Sequence, residues 1–502
     1  MAFVDGRSAC PGLFYATPAQ DGMLSRIRLP GGHLTVPQCQ AIGQIADRAG
    51  IQSVQVTNRA NLQLRSLQAL DSEMLEQLRA AKLAAPIAEV DALRNIMTSP
   101  IAGLDPQEQL DPRPLVVAWD NYLCRHPELA RLSAKFSVCF DGGGSLAVWH
   151  RPNDIALVVD PEADLAGDAE AAIALRLYVS RGDRGESPVQ TGISIRPQDS
   201  LALLSALAAV YLQGVIGLRN HTPQQRAPRL RQVIQQQGWD SFLQAVLQAV
   251  EQQLGHRLLC SQSPCPSASL PVLSQAAPMG VHPQRQPGLS YCGVGLPLGQ
   301  LTIVQLRGLT AIATSYGSKS LRLTPWQNLL IPDIPDRFVS TVQAEVEQLG
   351  LPHSADHLWR GLVACTGSPG CAASATDTKG DALALATALA SRLQLDCPIN
   401  IHFTGCEKSC AQHHPSDITC LGIRIDSPQA AAYRISVGGY SVERELYVID
   451  AASLPSTLEQ MLRIYQHYRS QPTESFSEFV GHYEIDQLRQ LFQDDEITEL
   501  TK

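Results

Sequence analysis

Residues 29–65 of this 502-residue chain recur at 296–332 with a constant offset of 267 and no gap. Thirteen of the 37 positions are identical, and others exchange one aliphatic residue for another. L-P-G-G-H-L-T (29–35) answers L-P-L-G-Q-L-T (296–302), and T-N-R-A-N-L-Q-L (57–64) answers T-P-W-Q-N-L-L-I (324–331). The offset is far longer than a solenoid period of about 20–50 residues. It is the mark of a duplicated half-molecule. Each copy reads strand, turn, helix, turn, strand. Thr35 and Thr302 stand where helix N-caps belong, and Gly50 and Gly317 stand where a left-handed C-terminal residue belongs. The closing strands, 53–56 and 320–323, alternate apolar and polar residues. Neither unit is large enough to bury a sheet face alone, so the two are expected to pair about a pseudo-twofold axis.

A larger unit follows each copy. Residues 94–250 hold strands such as 136–140 and 155–159 and helices around 201–218 and 229–254. Residues 353–450 hold a helix over 380–393 and strands near 399–403, 422–425 and 433–437. The Ser-, Pro- and Gln-rich stretch 260–287 reads as a surface linker. Segments 458–469 and 477–491 read as charged amphipathic helices. A net charge of −9 with no long basic run argues against a nucleic-acid partner. The longest apolar run, 201–218, is broken by Gln213 and two glycines. That suits a buried helix better than a membrane span of about 20 apolar residues. With no apolar leader and thirteen cysteines, the expectation is a cytoplasmic protein that does not engage a membrane and whose thiols stay reduced.

Four of those cysteines form two close pairs, C-T-G-S-P-G-C (Cys365, Cys371) and C-E-K-S-C (Cys406, Cys410), with 34 residues between them. Two such pairs on separate segments can converge on one iron–sulfur cube with four thiolate ligands. Small residues crowd both pairs (Gly367, Ser368, Gly370; Gly405, Ser409, Ala411), which lets backbone pass close to a bulky cluster. Structural zinc usually has shorter internal spacing, C-x2-4-C.

The duplicated unit together with C-x5-C and C-x3-C resembles the sulfite and nitrite reductase family, from Cys10 to about Phe492. The resemblance implies an α+β fold. Two ferredoxin-like half-domains (1–92 and 288–350) pair about a pseudo-twofold axis. Two larger α/β lobes (93–255 and 351–502) and a linker (256–287) complete it. It implies that Cys365, Cys371, Cys406 and Cys410 ligate a [4Fe–4S] cluster next to siroheme, with Cys410 bridging to the siroheme iron. The family's T-x-R-x-N-x-Q-x-R is met by 57–65, T-x-W-Q-N-L by 324–329, and its T-G-C-x3-C stretch by 404–418. These matches carry cofactor-binding roles onto Arg59, Asn61, Gln63, Arg65 and Asn328. The R-N that opens the first lobe is Arg94-Asn95, and the lysine loop appears as S-A-K-F-S with Lys135. Arg59, Arg94 and Lys135 are thereby expected to aim three cations into one cavity as catalytic, anion-contacting residues.

Within the family, C-P-G-L-F (10–14), the stretch 21–32 and the two cysteine motifs resemble the precorrin-3B synthase branch. That branch implies an oxygen-dependent monooxygenase of aerobic cobalamin biosynthesis that converts precorrin-3A to precorrin-3B by hydroxylation and γ-lactone formation. Its partners are a tetrapyrrole substrate, O2 and an electron donor such as ferredoxin or a reductase. Either siroheme or a mononuclear non-haem iron would meet O2, and for the latter His402, His413, His414, Glu407 and Asp417 lie near the cluster motif. The alternative is a ferredoxin-dependent assimilatory nitrite or sulfite reductase with siroheme. A non-catalytic iron–sulfur carrier or tetrapyrrole-binding protein is the third reading. No GxGxxG motif appears, so the electrons are expected from a partner. Internal pseudo-symmetry would let a monomer suffice.

Overall fold

In the computed structural model the two copies complete each other. The structure describes residues 11–493, apart from 161–172, 182–187, 220–225, 256–258, 261–277, 355–357, 391, 413–414, 426–430 and 439–443. One five-stranded sheet runs Thr17–Ala19, Gly22–Ile27, Leu62–Ser66, Ser53–Val56 and then Gln300–Thr302, which comes from the other copy. Its counterpart runs Gly280–Pro283, Leu289–Val294, Leu329–Pro335, Ser320–Leu323 and then His33–Thr35 from the first copy. All these pairs are antiparallel, with Leu301 opposite Val54 and Leu34 opposite Leu321. Helices Val36–Ala49 and Ile303–Tyr316 pack on each other, and the apolar faces of both copies merge into one core containing Ile42, Ile45, Leu309 and Ile312. The exchange gives each edge backbone a partner that its own half lacks.

Local chemistry repeats with the offset. Thr35 N–H donates to Gln38 Oε1 (2.9 Å) and Thr302 N–H to Gln305 Oε1 (3.0 Å), one arm of a capping box in each copy. Asn61 Oδ1 accepts from the Leu29 N–H (2.8 Å), and Asn328 Oδ1 accepts from the Leu296 N–H (3.1 Å). Each asparagine's own N–H donates to the hydroxyl of the turn threonine, Thr57 or Thr324. The helix ends differ. Gly50 is left-handed (φ 68°), as its position suggests, but Gly317 is extended (φ −114°, ψ −163°) and Lys319 takes the positive φ instead. Glycine is needed at 317 for closeness, since a Cβ there would lie 2.7 Å from the Pro332 carbonyl oxygen.

The first lobe is a six-stranded sheet in the order Leu259–Cys260, Val189–Ile195, Ala174–Val179, Ile155–Asp160, Val138–Asp141, Ile96–Thr98. Only its last two pairings are parallel. Helix Ser200–Arg219 contains the one stretch among the described residues long and apolar enough to cross a membrane. Its Leu203, Leu207, Tyr211 and Val215 are instead buried in this lobe's core. The second lobe orders Leu362–Ala364, Ile401–Thr404, Ile418–Arg424, Ala431–Val437 and Glu445–Asp450, again with two parallel pairings at one end. Helices Thr378–Leu389 and Leu454–Tyr468 pack together over it. The stretch read as a linker carries strand at Gly280–Pro283, paired with Leu289–Val294; 261–277 lie outside the described residues. The last amphipathic segment is two short helices, Phe476–Gly481 and Ile485–Leu491.

Asn61→Ala and Asn328→Ala each orphan a buried backbone N–H and are expected to cost about 1–3 kcal/mol of unfolding free energy, read from urea unfolding. A second expectation concerns Glu108, which accepts from the Gly103 N–H (2.7 Å) inside the first lobe. Burial pushes this carboxyl up to about 7, against the pull of Gly103 and Arg285. A raised carboxyl favours its protonated form in the folded chain. The stabilisation is therefore complete below the ordinary carboxyl range and is lost as pH rises through about 7. The wild type should lose about 3 kcal/mol relative to Glu108→Gln between roughly pH 5 and 8, read from unfolding curves at each pH.

Candidate functional site

The two cysteine pairs leave the same end of two neighbouring parallel strands. Cys365 follows Leu362–Ala364, and Cys406 follows Ile401–Thr404 by way of Gly405. Cys365 N–H donates to Phe403 O (3.0 Å), Ala375 N–H donates to Gly405 O (2.8 Å), and Gly405 N–H donates to the Cys365 sulfur (3.3 Å). A Cβ on Gly405 would fall 1.6 Å from Ser374 Oγ, so only glycine lets the loops close. Burial, and then the charges of Cys406, Cys365 and Cys371, push the Cys410 thiol up. All four are free thiols. Among the described residues, no three His, Cys, Asp or Glu side chains close on a single ion. Four thiols on two neighbouring loops match the ligand set of a four-iron cube, whereas structural zinc usually takes more closely spaced pairs.

Among the described residues the expected non-haem iron set does not assemble. His402 is buried in strand Ile401–Thr404, Glu407 is exposed, and Asp417 accepts from Asn400 N–H (2.8 Å) and the Ser477 hydroxyl. His413 and His414 lie outside the described residues.

A cleft of about 570 Å3 opens beside the second cysteine pair, walled by Ala411 and Gln412. All four units contribute: Asn58 and Arg59, Trp326 and Gln327, His150 and Arg151, and Asn400 with Ser416. Asn58 Nδ2 ties the first half-domain to Ala411 O (3.0 Å). The Arg59 guanidinium donates to Asn153 Oδ1 (2.9 Å) and to the Pro152 carbonyl. Arg151 is buried, donates to Pro325 O (3.1 Å), and lies 4.4 Å from the Trp326 ring. Its Nε has no hydrogen-bond partner among the described residues. Burial, then the Arg59 charge, push Arg151 down to about 10, and burial also lowers Arg59, with Asp154 partly offsetting it. Burial and Arg151 push His150 down to about 4, so it is neutral near pH 7. Two guanidiniums held by neutral oxygens in one cleft form an anion receptor.

Of the three cations expected in one cavity, only Arg59 is there. Arg94 lines a separate cleft of about 380 Å3 and makes a two-pronged pair with Asp120 (2.8 and 3.0 Å), which neutralises it. Its neighbour Asn95 turns the other way and accepts from Asn61 Nδ2 (3.2 Å). Lys135 is exposed and lines neither cleft. Asn61 and Asn328 spend their carbonyl oxygens on backbone and line neither cleft. Gln63 sits on Leu62–Ser66 in register with Arg26 and Gln55. Arg65 bonds Asp21 and Thr366 Oγ1 (3.2 Å), touching the cysteine loop and not the cleft. Sequence reasoning passed over Arg151 and His150 because W-H-R-P-N-D follows no spacing rule; a basic pair before proline is the only signal there.

Comparison with known proteins agrees with this geometry. The family model for the nitrite/sulfite reductase ferredoxin-like half domain matches residues 17–81 and 282–349, and the nitrite and sulphite reductase 4Fe-4S domain matches 89–254. A ferredoxin–nitrite reductase of Synechococcus elongatus is 31% identical over 474 residues, covering 90% of this chain and 88% of that protein. The chloroplastic ferredoxin–nitrite reductase of Zea mays is 29% identical, covering 87% and 76%. A ferredoxin sulfite reductase of Mycolicibacterium paratuberculosis is 26% identical, covering 93% and 83%. The structure of the Mycobacterium tuberculosis NirA protein superposes with a TM-score of 0.74 at 24% identity, over 93% of this chain and 85% of that one. Relatives that match over most of their length and are named as reductases overturn the precorrin-3B monooxygenase expectation, and with it O2 and a tetrapyrrole substrate. The chain belongs to the nitrite/sulfite reductase family, whose cofactors are siroheme and a [4Fe–4S] cluster.

Proposed function

We propose that this protein is a ferredoxin-dependent assimilatory nitrite reductase. The observation that carries the reading is the cleft where Arg59 and Arg151, neither paired with a carboxylate among the described residues, face the loop that begins one residue after Cys410. Cys365, Cys371, Cys406 and Cys410 would hold the cluster, and the cleft beside Ala411 would take siroheme, whose carboxylates suit guanidinium forks. Bound there, the two groups supply single electrons and an iron that accepts the anion. The protein's own residues then do three things. The two guanidiniums draw in and orient anionic groups, Trp326 fixes the plane of Arg151, and neutral His150 offers a hydrogen bond without adding charge.

Charge count favours nitrite over sulfite. Arg94 is neutralised by Asp120 and Lys135 points to solvent, so of the three expected cations the cleft keeps Arg59 and adds Arg151 and Arg360, set against the acidic Asp417. A singly charged anion fits that field better than a dianion.

Anaerobically purified holoprotein given reduced ferredoxin should convert nitrite to ammonium and handle sulfite more slowly. A protein that holds the cluster and siroheme yet leaves nitrite unchanged would sink the reading. Arg59→Ala should lower kcat/KM for nitrite by roughly 10- to 100-fold, since hydrogen bonds to charged groups contribute about 1.5–3 kcal/mol, and Arg59→Lys should lose less. Arg94→Ala should instead lower stability by about 3–5 kcal/mol by stranding Asp120, with KM for nitrite unmoved.

A further inference from the structure

The cysteine loop is gripped from two units at once. From the first half-domain, Arg65 on strand Leu62–Ser66 donates to Thr366 Oγ1 (3.2 Å), the residue after Cys365, and pairs with Asp21. A Cβ on Gly370 would lie 3.0 Å from Arg65 Nη1 and 2.9 Å from Asp21 Oδ2, so backbone next to Cys371 runs directly over this ion pair. From the second lobe, Thr378 Oγ1 lies 3.3 Å from the Cys365 sulfur and donates to Cys365 O (2.9 Å). The next residue, Lys379, is half-buried and reaches back across the interface to Gln55 Oε1 on strand Ser53–Val56. Burial, and then the Arg65 charge, pull its ammonium down to about 8, with Cys365, Asp21 and Asp377 opposing them. Helix Thr378–Leu389 starts here, capped by Asp377, whose Oδ1 accepts from the Gly380 N–H (3.1 Å).

The charges around the loop are not equivalent. Arg65 is cancelled by Asp21 in direct contact, and Asp377 is occupied by the helix N-terminus. The hydrogen-bond partner of Lys379 is a neutral amide. An electron entering a thiolate-ligated cluster adds negative charge to a site that is already anionic. A nearby cation in a partly desolvated interface favours the reduced form and raises the potential.

We propose that Lys379 holds up the midpoint potential of the cluster and that Asp21, by cancelling Arg65, limits how far it rises. The proposal rests on the four cysteines holding a [4Fe–4S] cluster. It makes the interface between the first half-domain and the second lobe part of the electron-accepting apparatus. Lys379 is a positioning residue of charge; it ligates nothing.

The test is an EPR-monitored redox titration of anaerobically purified holoprotein after iron and sulfide have been counted. Lys379→Gln should lower the midpoint, so that at a fixed potential the ratio of reduced to oxidised cluster falls several-fold; tenfold corresponds to about 59 mV for one electron. Lys379→Arg should stay near the wild type. Asp21→Asn should move the midpoint up, because it frees the Arg65 charge and leaves the Lys379–Gln55 contact in place. Opposite shifts with full iron and sulfide content support the proposal, since a merely loosened loop would not reverse sign. Unmoved midpoints, or shifts in the same direction, overturn it with the reading of the cysteines intact. A wild-type protein without a four-iron cluster overturns both.

Discussion

Everything in this molecule depends on two three-residue strands that change sides. His33–Thr35 completes the sheet of the second copy and Gln300–Thr302 completes that of the first, through a few backbone hydrogen bonds each. Short edge strands are weak alone, but here each is the continuation of a capped helix buried against its symmetry mate. The exchange locks the two copies at one mutual orientation. It thereby holds the two threonine–asparagine turns so that the residue at position 59 and the one 267 later, at 326, face the same cleft. Duplication supplied two equivalent positions, and divergence made one the cation and the other the aromatic plate on which a second cation, Arg151, lies.

The lobes show the same division of labour. Each opens a crevice at the ends of its two parallel strand pairs, the place where α/β sheets bind ligands. In the second lobe that crevice holds four thiols. In the first it is plugged by carboxylates that serve the backbone. Asp141 accepts from Val148 (2.8 Å), Trp149 and Gly143 N–H, Asp105 from the Ser145 hydroxyl (2.8 Å), and Glu108 from Gly103 N–H. The first lobe's crevice is thus satisfied from within, and this lobe gives the shared cleft His150 and Arg151.

The sequence announced what is periodic or local. The duplication, the capping threonines, the two paired cysteine motifs and the half-sheets are all carried by spacing, and spacing survives folding. Side-chain direction is not carried that way. Arg94 matched its motif, yet Asp120, one helix further on, captures it; Arg151 matched nothing, yet it is buried in the cleft. The strand exchange was equally hidden, because Q-L-T is too short to say which sheet it joins. The branch-level resemblance misled for a physical reason as well. Gly370 and Gly405 answer to the closeness of backbone around a cluster, and Glu407 and Lys408 are exposed, so those motifs report the cluster and say little about the substrate.

The contrast between the arginines explains why the cleft is suited to its task. A carboxylate partner satisfies a buried guanidinium fully and leaves nothing for a ligand, as at Arg94. Carbonyl and amide oxygens take hydrogen bonds from it but leave its charge unpaired, as at Arg59 and Arg151. Burying two such charges side by side costs folding energy, and the lowered proton affinity of both is the measure of it. That cost is tolerable only because the surrounding sheets fix the site, and an anion entering as proposed would offset it. The receptor is thus preorganised by the same strand exchange that holds the halves together, with its unspent charge directed at the loop that carries Cys410.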